Sequence, residues 1–564
     1  MSATETHPGA ASGQGTGHDG AGARAGTGHT APTAPTATAA AAAAGAGRAS
    51  KTGLPGAHLL RARLVGMTGA AVAGLSRALG RGDGSVIGGH AVLALEPRAL
   101  EVFSSGLRVV LVSGTNGKTT TTKLLATALG AATRSPVVTN LTGANLPTGI
   151  AAVLAAPRRS PTPVAVLEVD EAWLPEVAAK VRPVAVVLLN LSRDQLDRNN
   201  EVRHVAQRWR EACRALPSGA VVVANADDPL VAWAAGSASQ VTWVGAGLTW
   251  TNDATGCPSC AGPVLFDRGD RGDGGDGGDG GDGGDRGDRG DRGDRGGGGW
   301  RCGQCGFSRP HPDFWFPTGI AVPVTTVLSA GGVTYELSLG LPGRCNQANG
   351  ATALATVLAL GHTPEAVAAS LLAMGGVHEV AGRYATVPAR RTNAMAKLLL
   401  AKNPAGWAEV FEMLSPPPSP VVIAINARTA DGHDPSWLWD VPFERLAGRQ
   451  VVATGERRLD LGVRLHYAEV DHVVEPDLAR AIEWGEGLAA RGTTGSRGHV
   501  DVVANYTAFH QLLALRRRTM ALRRRGAGRK TGTRIADLTG ISGITGGTGI
   551  AGSSYDPGDA GGGE

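Results

Sequence analysis

The segment from Val109 to Thr122 constrains this chain most: Val-Val-Leu-Val-Ser-Gly-Thr-Asn-Gly-Lys-Thr-Thr-Thr-Thr, an apolar strand running into a glycine turn and then a helix. A strand-loop-helix of this kind belongs to a parallel α/β sheet. The turn has a chemistry of its own. Backbone N–H groups freed by Gly114 and Gly117 can cradle phosphates, the Lys118 ammonium reaches the terminal phosphates, and the Thr119 hydroxyl can ligate Mg²⁺. The helix that follows directs its positive end at the anion. The expected nucleotide-binding set is therefore Gly114, Thr115, Asn116, Gly117, Lys118, Thr119 and Thr120, with ATP and Mg²⁺ as the ligand. The loop is compact, since Val112 stands where the longer form has its first glycine.

A chain of 564 residues would suggest three or four domains, but the composition lowers that number. Residues 1–57 are Ala, Gly, Thr, Pro and His with almost no large apolar side chain, and residues 527–564 are mostly Gly, Thr and Ser. Such tails bury too little apolar area to offset the entropy of ordering and are expected to be disordered. A third block, 267–299, repeats Arg-Gly-Asp and Gly-Gly-Asp and reads as a solvated loop. About 430 residues remain, enough for two domains with cores of their own.

The formal net charge of +5 is small for this length and gives no footprint for nucleic acid, which counts against a zinc-ribbon NTPase acting on DNA. Leu512 to Arg525 is locally basic, either a solvated helix face or a contact for anionic lipid. No apolar run approaches the ~18 residues of a membrane span, and no signal-peptide core opens the chain. The expected location is the cytoplasm, with peripheral access to the inner face of the membrane.

Four of the six cysteines form two pairs, Cys257-Pro-Ser-Cys260 and Cys302-Gly-Gln-Cys305. This is the spacing of two zinc knuckles that together make one tetrahedral thiolate site. The Gly-Asp repeat lies between them, and because loop closure costs grow only logarithmically, the insert need not destroy the site. Four thiolates leave no open position for water, so a Zn²⁺ here would be structural. Cys213 sits in a helical pattern and is expected to be buried.

Pro163 to Glu171 is another apolar strand, and it ends in carboxylates. Strand C-termini converge on the ligand crevice of a parallel sheet, which places Glu168 to hold Mg²⁺ opposite Thr119, with Asp170 or Glu171 as weaker candidates. Strand-plus-turn signals recur at Val186 to Arg198 and Val221 to Pro229.

The compact Gly-Thr-Asn-Gly-Lys-Thr loop resembles that of the Mur ligase superfamily, which joins amino acids to peptidoglycan precursors, and of its folate-ligase relatives. Gly343 to Ala351 resembles the superfamily's Asn-x-x-Asn-x-x-Ala turn, which implies that Asn349 faces adenine; a helix-capping role for Asn346 or Asn349 is the alternative. Many of those ligases carry Asp-His-Leu-Asp where this chain has Asp194-Gln195-Leu196-Asp197. Only about fifty potentially folded residues precede the loop, fewer than a UDP-binding domain needs.

Ala401 to Trp407, Ile425 to Asp440 and Ala504 to Ala508 closely resemble the MurT family, the synthetase subunits of lipid II isoglutaminyl synthase. The resemblance runs from about residue 60 to 515 and takes in the four cysteines. It implies a Mur ligase-type P-loop ATPase central domain over 58–385, with a four-cysteine zinc ribbon inserted at 251–316, and a smaller C-terminal α/β domain over 386–526. It also implies ATP-dependent amidation of the α-carboxylate of D-glutamate in the lipid II stem peptide through an acyl phosphate, with Lys118 and Glu168 serving that step. Ammonia would come from glutamine hydrolysed by a separate GatD-type subunit. Neither Cys213 nor Cys345 sits in a glutaminase-like Gly-x-Cys-x-Gly elbow. The position matching the aspartate that completes the partner's Cys-His pair is Asp434, with Asp431 and Asp440 as near rivals. Trp437 and Trp439 beside it suit either the core or a partner interface. The competing expectation is an amino-acid-adding Mur or folylpolyglutamate-type ligase.

Overall fold

The computed structural model describes residues 56–78, 84–140, 144–157, 163–193, 202–267, 299–317, 324–388, 395–491 and 499–515. Both tails, most of the Gly-Asp repeat, Asp194 to Asp197 and the basic run from residue 516 onward lie outside the described residues.

Three helices, α1 (Gly56–Ala78), α2 (Ser85–Leu95) and α3 (Ala99–Ser104), precede the first strand. Strands β1 (Arg108–Ser113), β2 (Val137–Thr139), β3 (Val164–Glu168), β4 (Ala185–Leu188), β5 (Val221–Asn225) and β6 (Val241–Gly245) then alternate with helices. Those helices are α4 (Lys118–Thr133), α5 (Pro147–Ala155), α6 (Leu174–Val181), α7 (Val202–Arg214) and α8 (Pro229–Ala235). The six strands pair in parallel in the order β6-β5-β4-β1-β3-β2. The chain thus leaves β1 toward one edge and returns to its other side at β4. Strand order reverses at β1, and a crevice opens there beyond the strand C-termini, where ligands bind in sheets of this type.

The alternation of side chains explains why the sheet needs helices on both faces. Val109 and Leu111 of β1 enter the core that also holds Leu167, Leu188 and Trp209, whereas Val110 and Val112 enter the opposite core with Leu125, Val166 and Leu354. A strand apolar at every position can be buried only in this way.

The sheet is mixed rather than wholly parallel. Beyond β6, a two-stranded hairpin β7 (Val264–Phe266) and β8 (Trp300–Cys302) carries the cysteine pairs. Then β9 (Phe314–Trp315) joins β6 in parallel, while β10 (Val324–Ser329) and β11 (Thr334–Ser338) extend that edge antiparallel. The β10–β11 turn contains Gly331 and Gly332, the latter at φ +78°, which closes a hairpin too short for a crossover helix. Helices α9 (Arg344–Ala359) and α10 (Pro364–Gly375) cover this half.

A second sheet follows, built from β12 (Tyr384–Pro388), β13 (Met395–Leu400), β14 (Val421–Ala424), β15 (Val451–Thr454), β16 (His472–Val474) and β17 (His499–Ala504) in the order β12-β13-β17-β14-β15-β16. Only β12 runs antiparallel to its neighbour. Helices α11 (Pro404–Met413), α12 (Arg458–Tyr467) and α13 (Leu478–Arg491) flank this sheet, and residues 506–515 after β17 are helical as well. Among the described residues no helix is long and apolar enough to cross a membrane.

Candidate active site

The phosphate-binding turn leaves the end of β1 at the switch point. Gly114 (φ +149°) and Gly117 (φ +82°) adopt backbone that favours glycine, and space forbids a side chain at either. A Cβ on Gly114 would stand 2.8 Å from Leu189 Cβ, and one on Gly117 would stand 2.6 Å from Asn349 Oδ1. The segment after β4 clamps the turn. Asn116 N donates to Asn190 Oδ1 (2.8 Å) and Asn190 Nδ2 donates back to Asn116 O (3.2 Å), while Thr115 N donates to Asn190 O (2.9 Å). The Thr115 hydroxyl donates to Ser192 O at 3.0 Å and accepts from Ser192 N at 2.9 Å.

Lys118 and Thr119 begin α4, and both are buried. The Lys118 ammonium donates to Gly114 O, to Thr115 O (3.3 Å) and to Glu171 Oε1 (3.0 Å). Thr119 Oγ1 donates to Glu168 Oε2 at 2.8 Å, so the two groups expected to face Mg²⁺ are already side by side. Glu168 is fully buried and held by its backbone. Its N–H donates to Asn140 Oδ1 and its carbonyl accepts from Asn140 Nδ2, both at 2.8 Å, while Asn145 Nδ2 approaches Oε1 at 3.4 Å. A hydroxyl at the start of α4 and a carboxylate at the end of β3 form an oxygen donor set suited to Mg²⁺, and the glycine turn brings backbone and an ammonium together as phosphate ligands, so the residues present fit both groups. Glu171, read from the sequence as a weaker metal ligand, is instead paired with the lysine.

The second sheet closes the crevice from the other side. Arg383, just before β12, donates from Nε to Thr119 Oγ1 at 3.2 Å. Asn403 caps α11 by accepting from Gly406 N at 2.7 Å, and its amide meets that of Asn116 at 3.4 Å. An open cleft runs on from the turn, walled by Asn190, Asn225, Trp250, Arg344, Asn349 and Glu409. Asn349 faces this cleft, but its Oδ1 accepts from Thr121 Oγ1 at 3.1 Å and its Nδ2 approaches Asn346 Oδ1 at 3.4 Å. Thr120 lines a neighbouring pocket with Lys118, Arg383 and Lys402. Glu409 is half-buried, and burial together with neighbouring Glu412 pushes its carboxyl up to about 8.

Sequence reading passed over Asn190, Asn403 and Glu409. Asn190 lies two residues beyond the C-terminus of β4, next to the switch point, and the strand-terminus rule that found Glu168 points to it as well. Asn403 and Glu409 reach the site only because the second sheet packs against the first, which no local pattern reports.

The four cysteines converge. All four sulfurs lie within 4.8 Å of one another, with Cys257 and Cys305 at 3.7 Å and Cys260 and Cys302 at 3.5 Å. Four sulfurs bound at ~2.3 Å around one tetrahedral ion would be ~3.8 Å apart, so the cluster could hold such an ion with little movement. Backbone N–H groups of Gly262, Gln304 and Cys305 point at Cys260 and Cys302 sulfurs at 3.3–3.4 Å, as in metal knuckles. Trp300 ties the hairpin to the main sheet through Nε1 to Ala226 O at 3.0 Å. The remaining cysteines are poor nucleophiles: burial pushes the Cys213 thiol up to about 12, and burial reinforced by Glu409 and Glu412 raises Cys345 well above its ordinary value.

Asp434 does not join the phosphate site. It is exposed, and its carboxylate accepts from Ser436 N (2.8 Å) and Ser436 Oγ (2.9 Å) at the start of a short 3₁₀ turn, Ser436–Asp440. Asp431 is buried and engaged, accepting from Thr507 N at 2.8 Å, from the Thr507 hydroxyl and from Arg428 N at 3.2 Å. Asp440 is exposed. Trp437 belongs to the core, whereas Trp439 is exposed and meets Tyr467 edge-on at 5.5 Å.

Comparisons with known proteins agree with this architecture. Residues 112–251 match the Mur ligase middle domain and residues 400–509 match the MurT ligase C-terminal domain. The chain is 28% identical over 462 residues to the lipid II isoglutaminyl synthase (glutamine-hydrolyzing) subunit MurT of Streptococcus pneumoniae, covering 77% of this chain and 93% of that protein. It is 27% identical over 420 residues to the subunit of the same name from Staphylococcus aureus, covering 72% and 86%. Among solved structures, MurF from Acinetobacter baumannii superposes with a TM-score of 0.52 at 15% identity, over 76% of this chain and 80% of that one. MurF ligase from Thermotoga maritima in complex with ADP superposes at 0.50 and 14%, over 78% and 85%.

Proposed function

We propose that this chain, a homologue of the MurT subunits with a Mur ligase middle domain and a MurT ligase C-terminal domain, is the synthetase subunit of a lipid II isoglutaminyl synthase. The observation that carries the reading is Thr119 bonded to Glu168 beside Lys118, in a chain whose residues 400–509 match a domain named for that subunit. The α-carboxylate of D-glutamate in the lipid II stem peptide attacks the γ-phosphoryl group of MgATP, releasing ADP and forming an acyl phosphate; ammonia then attacks the acyl carbon, inorganic phosphate leaves, and loss of a proton gives the amide. The ATPase domain spans 58–385 and the smaller domain 386–526.

Each residue has a stated task. The amides in the first turn of α4, at its positive end, bind phosphate oxygens, while those of Thr115 and Asn116 hold the turn to Asn190. Lys118 exchanges its contact with Glu171 for the terminal phosphates and stabilises the charge that moves through the transferred group. Thr119 and Glu168 hold the Mg²⁺. Asn349 faces adenine once the nucleotide draws its amide from Thr121.

Free ammonium is a poor nucleophile, and the described cysteines offer no glutaminase: Cys213 is buried, half-buried Cys345 is held as a thiol beside Glu409 and Glu412, and four belong to the metal cluster, which we assign to structural Zn²⁺. A separate GatD-type glutaminase is therefore the partner, and Asp434 completes its Cys-His pair by orienting the imidazole. The exposure of Asp434, with Asp431 spent on Thr507, supports that choice, and exposed Trp439 gives the partner an aromatic anchor five residues on. Mass spectrometry of lipid II incubated with MgATP, glutamine and both proteins tests the reading. Replacement of a hydroxyl by an amine at D-glutamate, only when both are present, is the expected result. ATP turnover driven instead by an amino acid and a soluble precursor would favour an ordinary ligase.

A further inference from the structure

We propose that α1 and α2 form a face that lies on an anionic lipid surface, so that a lipid-anchored substrate meets the enzyme with its peptide beside the Glu168 crevice. This rests on the reading above for the identity of the substrate. The inward faces of these helices are fixed by close glycine contacts. A Cβ on Gly66 would stand 2.3 Å from Ala155 O, one on Gly69 would stand 2.5 Å from Val92 Cγ2, and one on Gly89 would stand 1.9 Å from Thr148 O. The opposite face is therefore defined as well, and it is apolar. Leu64, Met67 and Leu75 of α1 are 58%, 61% and 63% exposed, and Val86, Ile87 and Leu95 of α2 are exposed together with His90. Single exposed apolar residues are ordinary, but a helix pair apolar on its outward as well as its inward side marks an interaction surface.

Charge selects the occupant. Neither helix contains an Asp or Glu, while Arg61 and Arg63 lie exposed on the first half of α1. Arg61 reaches back to Leu95 O at 3.2 Å and to Glu96 at 3.4 Å, binding the two helices together at the rim of the apolar patch. Arg61 is paired with Glu96 at this rim, so Arg63 supplies the exposed positive charge, and apolar helix faces that carry such a charge and no carboxylate of their own complement the acyl-headgroup boundary of an anionic bilayer. The preceding residues 1–55 cannot supply an apolar cover, because Met1 and Leu54 are their large apolar side chains. The position also fits: α2 presses through Gly89 on the start of α5, and the segment just before α5 carries Asn140 and Asn145, which hold Glu168.

The test is co-sedimentation of the full-length chain with vesicles of phosphatidylglycerol and phosphatidylcholine, against vesicles of phosphatidylcholine alone. Wild type is expected to sediment with the anionic vesicles. The variant Leu64→Ser/Met67→Ser/Leu75→Ser should lose roughly tenfold or more in partitioning, and Arg63→Glu should lose the preference for anionic lipid. ATP binding and thermal unfolding, unchanged in both variants, establish that they fold. Wild type left in the supernatant, or a triple variant that sediments like wild type, overturns the proposal. A wild-type dimer that the triple variant converts to monomer, without vesicle binding, assigns the face to a second copy. Amidation is followed in parallel: the triple variant should raise KM for lipid-anchored substrate in vesicles and leave a water-soluble short-chain analogue unaffected. Vesicle binding without amidation of either substrate by wild type and its partner would refute the functional reading while leaving the lipid contact standing.

Discussion

Glu171 Oε1 accepts from Lys118 Nζ at 3.0 Å, and both side chains are largely shielded from water, at 14% and 6% exposure. The lysine of the phosphate turn is thus held by a carboxylate and two loop carbonyls. A nucleotide has to win the ammonium from these partners before its terminal phosphates are bound, so the pair opposes ground-state binding.

Replacing Glu171 by Gln should therefore lower the dissociation constant for MgATP by roughly three- to tenfold, because the competing charge is gone while the shape remains. Titration calorimetry reads this directly. Weaker binding instead, with a raised Mg²⁺ requirement, would return Glu171 to the metal. Lys118→Ala should cost about 10³-fold in kcat/KM for ATP-dependent amidation and leave retention of the partner intact.

The Asn116–Asn403 contact joins the two sheets across the crevice, and Asn403 also caps α11. Asn403→Ala removes both bonds. Loss of an N-cap costs about 1 kcal/mol. The variant should unfold at a temperature a few degrees lower and show a raised KM for ATP, since the turn loses a support on its open side. Asn403→Ser keeps a cap acceptor on a side chain too short to reach Asn116 and should recover the melting temperature while leaving KM raised. Calorimetry and initial rates on the two variants separate the effects.

Asp434→Asn should abolish glutamine hydrolysis by the complex, because an amide cannot stabilise the cationic imidazole of the partner. Amidation from high external ammonium should persist. Asp431→Asn makes the contrast: Asp431 is buried and accepts from Thr507 and Arg428, so its loss should lower stability and both activities together. Glutaminase and ammonium-dependent rates, measured side by side, distinguish a triad role from a structural one.

How much of this was legible in the sequence depends on how locally each feature is encoded. The β1 run and its glycine turn state their own structure, because the apolar periodicity, the positive-φ glycines and the helix start fall within fifteen residues of one another. The cysteine spacing likewise foretold that four sulfurs would meet across the long repeat. The β10–β11 hairpin is marked by Gly331-Gly332, but the strand-helix alternation pointed to a parallel α/β domain interrupted by the zinc ribbon, with no antiparallel edge. What could not be read was the partnership of residues far apart in the chain. Lys118 pairs with Glu171, 53 positions on, and Asn116 meets Asn403, 287 positions on. Such contacts depend on how one element packs on another, and a residue type alone does not choose among several carboxylates at the same strand end.

Glu409 supplies a prediction in pH. Its carboxyl, ordinarily near 4.5, is pushed up to about 8 by burial and by Glu412. Between those values the folded chain keeps a proton that the unfolded chain has released. The native state binds more protons across that window, so this group makes stability fall as pH rises from about 4.5 to about 8, with no further change above. Glu409→Gln replaces the titrating group by a neutral one of the same shape. The variant should match wild type near pH 4.5 and become progressively more stable than wild type toward pH 8, as read by denaturant midpoints. The other carboxylates titrate alike in both proteins, and the difference isolates this residue. A constant difference at all pH values would mean that Glu409 is solvated well enough in the cleft to ionise as an ordinary carboxylate does.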